Sequence, residues 1–198
     1  MKHLKTGTAA LIATLFAAGV TAAHAAAADP LTVVKNYMSA WSTLAGKKKA
    51  SDQDVAKAAN IAASYFDADV EYLDSTVGTP QVGSVVARDN VVKAFLSSFR
   101  DAKWEMVGKP KVTGNDVEFK WRFTGHANGP YLMDPTCKGE GEAINLPGES
   151  RITVRDGMIA YQNDTYDAKV LPAQLARSEK ACQAKHAAEV QAAATTAK

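Results

Sequence analysis

The run Val117-Glu118-Phe119-Lys120-Trp121-Arg122-Phe123-Thr124 alternates apolar and polar residues over eight positions, and no other segment restricts the fold as strongly. Successive side chains of a strand point to opposite faces, so the pattern demands a strand with one buried and one wet face. A strand of that kind belongs to an antiparallel sheet whose apolar side must be covered. A second run follows, in which Ile152 and Val154 alternate with Arg151, Thr153 and Arg155, and "RDG" turns it into "MIAYQNDTYD" as a hairpin.

The cover lies upstream, where the period is that of a helix. Val33, Val34, Tyr37, Met38, Trp41 and Leu44 make one apolar stripe, predicting a helix from about Leu31 to Leu44. "AGKKKASDQD" interrupts it, and Lys47 to Lys49 read as a solvated loop. Ser51 followed by Asp52 and Asp54 signals a capped second helix running through Ala58, Ala62 and Phe66. After the turn chemistry of "GTPQVG", Asp89 is expected to cap a third helix with Val91, Val92, Phe95, Leu96 and Phe99 on one face. "HANGPYLMDPTCKGEGEA" reads as a long polar excursion between strands. The tail from Lys169 reads as an Ala-rich helix that frays after about Val190. Helices, then a meandering sheet, then a helix predict the α+β class: a cone-shaped roll with N-terminal helices packed on a curved, mostly antiparallel sheet, plus a C-terminal helix.

Lys2, His3 and Lys5 precede an apolar run from Ala9 to Val20 that ends in Ala23-His24-Ala25, the pattern of a secretory signal peptide. The apolar run falls short of the roughly 20 residues that span a bilayer. The expected organisation is therefore a leader over residues 1–25, one domain over 26–175 and a C-terminal helix with a frayed tail over 176–198, in the periplasm or secreted. The leader carries Lys2 and Lys5 and no acid, so the 23 basic residues fall to 21 without it and balance the 21 acids. A chain near neutrality gives no reason to expect nucleic acid or an anionic membrane as partner. In an oxidising compartment Cys137 and Cys182 are expected to pair as a disulfide. No Cys-x-x-Cys and no paired His and Cys spacing is present, and neither a metal nor a cofactor is expected.

One acid stands out. Asp74 closes "YFDADVEYLD" beside Tyr72, Leu73 and Val77, and it is either a turn former or a proton acceptor in an apolar cavity. On the last predicted strand Gln162, Asp164 and Tyr166 share one face and Asp167 lies on the other. His126 follows Gly125 and reads as a rim residue. Tyr37 on its stripe reads as a core residue or a hydroxyl donor.

"VVKNYMSAW", "YFDADVEYLD", "GPYL…GESRITVRDGMI" and "DAKVLPAQL", in this order, resemble the nuclear transport factor two-like superfamily, with its ketosteroid isomerases and SnoaL-like polyketide cyclases, over about residues 31–175. The resemblance implies the same roll around an apolar pocket that takes a small apolar or carbonyl-containing ligand, and it is compatible with a homodimer through the outer sheet face. By that resemblance Asp74 is the general base, at the isomerase spacing from Phe66. Tyr37 is the oxyanion donor, and Ser150 stands where the isomerases carry a second donor. The SnoaL-like cyclases point to Asp167 by its spacing to "VLPAQL", whereas alternation points to Asp164. Trp121, Gln162 and Tyr166 join Ser150 as candidate pocket residues. The chemistry these groups share is removal of a proton next to a carbonyl and stabilisation of the enolate. The fold also hosts noncatalytic ligand-binding and protein-interaction modules, and a cavity filled by its own Trp and Phe side chains would favour that alternative.

Overall fold

The computed structural model describes residues 28–47, 49–132 and 134–196; the expected leader lies outside the described residues. Helix α1 (Pro30–Trp41) starts where Asp29 accepts from the Thr32 amide at 3.0 Å and Pro30 takes a position that needs no amide donor. A 3₁₀ turn, Ser42–Leu44, carries the stripe to its expected end. Helix α2 (Asp52–Ala63) opens on a capping box between Ser51 and Asp54. It stops short of Phe66, which the helical reading had included: Phe66 is the first residue of strand β1 (Phe66–Asp74). The β-branched and aromatic residues of this stretch sit at alternate positions, and that period prevails over the helical one.

After β2 (Gln81–Val82), a continuous helical segment comprises α3 (Ser84–Ala87), a π-helical stretch Arg88–Val92 and α4 (Lys93–Ser98). Its start is Gly83, not Asp89. Gly83 has φ 95°, a conformation that suits glycine, whereas Asp89 sits inside the helix and pairs with Arg88 at 2.9 Å. Strands β3 (Lys103–Thr113) and β4 (Asp116–His126) form a long hairpin. The polar excursion contains a small hairpin of its own, β5 (Pro130–Tyr131) with β6 (Asp134–Lys138). Strands β7 (Ala143–Arg155) and β8 (Met158–Thr165) form the "RDG" hairpin, and β7 begins well before the alternation that revealed it. Helices α5 (Val170–Gln174) and α6 (Ala176–Thr196) close the chain, α6 continuing past Val190, where fraying was expected.

The main sheet has the order β2-β1-β8-β7-β4-β3. All its pairs are antiparallel except β1 with β8, which run parallel and place Asp74 opposite Asp164. The register shifts between Val107 and Lys111 and between Thr153 and Val154, the kind of irregularity by which a sheet bends. The inner face of β4 (Val117, Phe119, Trp121 and Phe123) packs with Tyr37, Trp41, Phe95 and Phe99 of the helices in one core, as the alternation requires. Cys137 and Cys182 form the expected disulfide, with Cα atoms 5.3 Å apart, and tie β6 to α6. Among the described residues no helix is long and apolar enough to cross a membrane.

Candidate functional site

Parallel pairing of β1 with β8 and antiparallel pairing of β8 with β7 align Asp74, Asp164 and Ser150 in one row across the sheet. All three are buried, at 6%, 5% and 4% exposure. Two carboxylates at directly opposed positions repel each other, so a sheet that keeps such a pair on its inner face gives up stability there.

Each acid is held by a different set of donors. Asp74 Oδ1 accepts from the backbone amides of Thr76 at 2.8 Å and Val77 at 3.3 Å, and from the Tyr166 hydroxyl at 2.9 Å. The two readings of Asp74 are therefore not alternatives in space, since its carboxylate closes a turn and also faces a cavity. Asp164 Oδ1 accepts from Ser150 Oγ at 2.5 Å, and Oδ2 from Tyr72 at 2.6 Å and Gln162 Nε2 at 2.8 Å. Burial raises the pKa of Asp74 against the opposing effect of its donors. Asp164 is pushed up to about 7, first by burial and then by the charge of Asp74, while its hydroxyl and amide donors pull the other way. The Tyr166 phenol is raised by burial and by Asp74, and stays protonated.

The cavity before this pair is walled by Trp41, Tyr72, Phe95, Trp104, Trp121, Phe123, Leu146 and Tyr166, with Asp74 and Asp164 on the sheet side. Its volume is about 30 Å³. One water needs roughly 10–15 Å³ by that measure, so the space suits a few solvent molecules or a group of a few heavy atoms. Its walls interlock: Trp121 meets Tyr166 edge-on at 5.8 Å and Trp104 at 6.0 Å, and Trp41 meets Trp104 at 5.5 Å. Gly148, opposite Trp121 on β7, leaves room for the indole, which a Cβ there would overlap.

Of the sequence candidates, Asp74, Asp164, Trp121 and Tyr166 converge on this cavity. Ser150 and Gln162 stand behind it and serve Asp164 instead. Tyr37 is fully buried and does not reach the cavity wall. Its hydroxyl lies near Trp41, Gln162 and Tyr72 without closing a hydrogen bond to any of them. Asp167 lies beyond the end of β8, is exposed and accepts from the Lys169 amide at 2.9 Å, which removes it from the pocket and leaves Asp164 as the acid of the last strand. His126 pairs with Asp101 at 2.7 Å away from the cavity. The phenol hydroxyls that touch the acids are those of Tyr72 and Tyr166, beside the Ser150 hydroxyl on Asp164. Tyr72 was legible in principle, being two residues before Asp74 on the same strand face.

No family model and no curated protein matches the chain by sequence. Solved structures do match. One is a protein with a ketosteroid isomerase-like fold from Catenulispora acidiphila, in complex with trimethylamine: TM-score 0.54, 17% identity, 73% of this chain and 92% of that one. A second is a candidate polyketide cyclase from Xanthomonas campestris: TM-score 0.56, 20% identity, 74% and 96% covered. A candidate SnoaL-like polyketide cyclase from Shewanella putrefaciens gives TM-score 0.57, 12% identity, 85% and 99% covered. The chain has the SnoaL-like, ketosteroid isomerase-like fold. At these identities the match establishes the roll and leaves the chemistry to the site.

Proposed function

We propose that the cavity binds a small organic molecule and that the Asp74–Asp164 pair exchanges a proton with it, in an isomerisation or cyclisation of a small carbonyl compound. The observation that carries this reading is the register of β1 on β8, which sets two buried carboxylates side by side at the only acidic part of an aromatic wall. The elevated pKa of Asp164 suits a group that must both take and return a proton near neutrality. Asp74, with two backbone amides and a phenol donating to it, supplies the fixed negative charge that holds that proton on its neighbour. Two wall residues, Trp41 and Trp121, carry indole N–H groups that are buried without a partner, and a substrate oxygen would draw its donor from these, the role the resemblance had given to Tyr37 and Ser150.

Exchange of the α-protons of acetone, a ketone of four heavy atoms, with deuterated water, followed by NMR, tests this. Asp164→Asn is expected to slow exchange by about 100-fold or more, the usual size of a general-base contribution. Equal rates for the variant and the parent would refute the proton-transfer role.

A noncatalytic second reading has its own support. Seven aromatic side chains and two acids around a space of this size suit a small methylated ammonium ion, held by cation–π attraction and charge. Trimethylamine is the ligand of the Catenulispora acidiphila protein. Saturable quenching of tryptophan fluorescence by trimethylammonium, with no ketone exchange, would select this reading.

A further inference from the structure

Four side chains outside the cavity lie together where β6 meets α6. Asp134 and Cys137 are three positions apart on the β6 segment, and Cys182 and His186 are one turn apart on a face of α6. The ligand atoms of the four all lie within 4.8 Å of one another. Cys137 Sγ is 3.8 Å from His186 Nε2, Cys182 Sγ is 3.6 Å from Asp134 Oδ2, and His186 Nε2 is 3.5 Å from Asp134 Oδ2. A tetrahedral zinc with bonds of about 2.3 Å to sulfur and about 2.0–2.2 Å to nitrogen and oxygen has ligand-to-ligand edges of about 3.4–3.8 Å. Three edges of that tetrahedron are thus already in place, and the sulfur–sulfur edge is closed by the disulfide.

We propose that reduction of Cys137–Cys182 converts this cluster into a four-coordinate zinc site, with Cys137 Sγ, Cys182 Sγ, His186 Nε2 and Asp134 Oδ2 as ligands. A dithiol reductant delivers two electrons and two protons to the disulfide and is itself oxidised to a disulfide. The two thiols formed then lose their protons to water as zinc binds their thiolates. Disulfide and zinc are mutually exclusive occupants, and either one ties the polar excursion to the C-terminal helix. The groups that hold the ligands support the assignment. Asp134 Oδ1 accepts from the Thr136 amide at 2.9 Å and from its hydroxyl at 2.7 Å, which leaves Oδ2 turned to the sulfurs and the imidazole. Thr136 Oγ1 also lies 3.2 Å from His186 Nε2, and zinc would take over that contact. Soft thiolates with one imidazole select zinc over calcium or magnesium. Sequence spacing hid the cluster, because its two halves come from separate elements and neither is a Cys-x-x-Cys pair.

The test uses the full chain, oxidised and after reduction by a phosphine that is then removed without air. Zinc is titrated against a chromophoric chelator, and cobalt(II) replaces it for spectroscopy. One equivalent of zinc should bind the reduced protein and none the oxidised one, and cobalt should show thiolate charge-transfer and tetrahedral d–d absorption. His186→Ala and Asp134→Asn, both at partly exposed positions, should each weaken binding at least tenfold while circular dichroism stays unchanged. Three results would overturn the proposal: no zinc on the reduced protein at micromolar concentration, equal binding by the oxidised protein, or affinity untouched by both variants.

Discussion

Asp164 holds its proton more firmly in the folded chain than in the unfolded one, with a pKa of about 7 against an ordinary 3.8. Between those two values the folded state binds the extra proton, so this residue's contribution to stability is fully present at the acid end and is lost as pH rises toward 7. Relative to Asp164→Asn, the parent should lose up to about 1.4 kcal/mol per pH unit across that window, read from urea unfolding at several pH values. Parallel pH curves for the two proteins would contradict a buried, proton-holding Asp164. Asp74→Asn keeps the turn acceptor and removes the neighbouring charge, so the Asp164 carboxyl should titrate lower in a carbon-detected NMR experiment. An unmoved Asp164 would show that the two acids do not sense each other. Strand alternation pointed to Asp164 and the spacing to "VLPAQL" pointed to Asp167, so the sequence left both open; the strand ends at Thr165, which leaves Asp167 beyond it and exposed. Tyr37 was harder to place. Helical periodicity gives the buried side of α1 but no depth within it, and Tyr37 lies one layer behind the wall formed by Trp41 and Tyr72.

At the level of single elements, capping chemistry was the most legible signal. Ser51 with Asp54 opens α2 as expected, and Ser51→Ala should cost about 1 kcal/mol in chemical denaturation, with no effect on ligand quenching. The start of α3 was misread because Gly83 offers conformation, with no side-chain acceptor, whereas Asp89 looks like a cap and is spent on Arg88. The π-helical stretch at Arg88–Val92 leaves no mark in the apolar spacing that would distinguish it from ordinary helix. The β5–β6 hairpin is too short for any period to show. On β7, Gly148→Ala puts a methyl group where the Trp121 indole lies, and should destabilise the fold by about 1–3 kcal/mol. Because Trp121 is also cavity wall, the same variant should change its fluorescence and weaken ligand quenching, and an unaltered spectrum would mean that the indole does not depend on that gap.

Across the whole molecule, the Cys137–Cys182 bond closes a loop with a sequence separation of 45, which in the chain-entropy model is worth about 4 kcal/mol. Metal-free reduction should therefore lower the melting temperature, and an unchanged transition would mean that the polar excursion is anchored without the bridge. The export reading adds that native protein should begin near Ala26, checked by N-terminal sequencing. A different consequence follows from where β8 sits. It is the last strand of the sheet in the chain, yet it lies between β1, the first, and β7. Until residues 158–165 have left the ribosome, β1 has no partner on that side and the sheet is two separate pieces with open edges. The cost of closing the long intervening loop is met only when β8 inserts, and contacts of such sequence separation slow folding. Each acid can reach the other only through that insertion, so competence should arise last: in stopped-flow refolding, ligand quenching should return in the slowest phase, after circular dichroism has largely recovered.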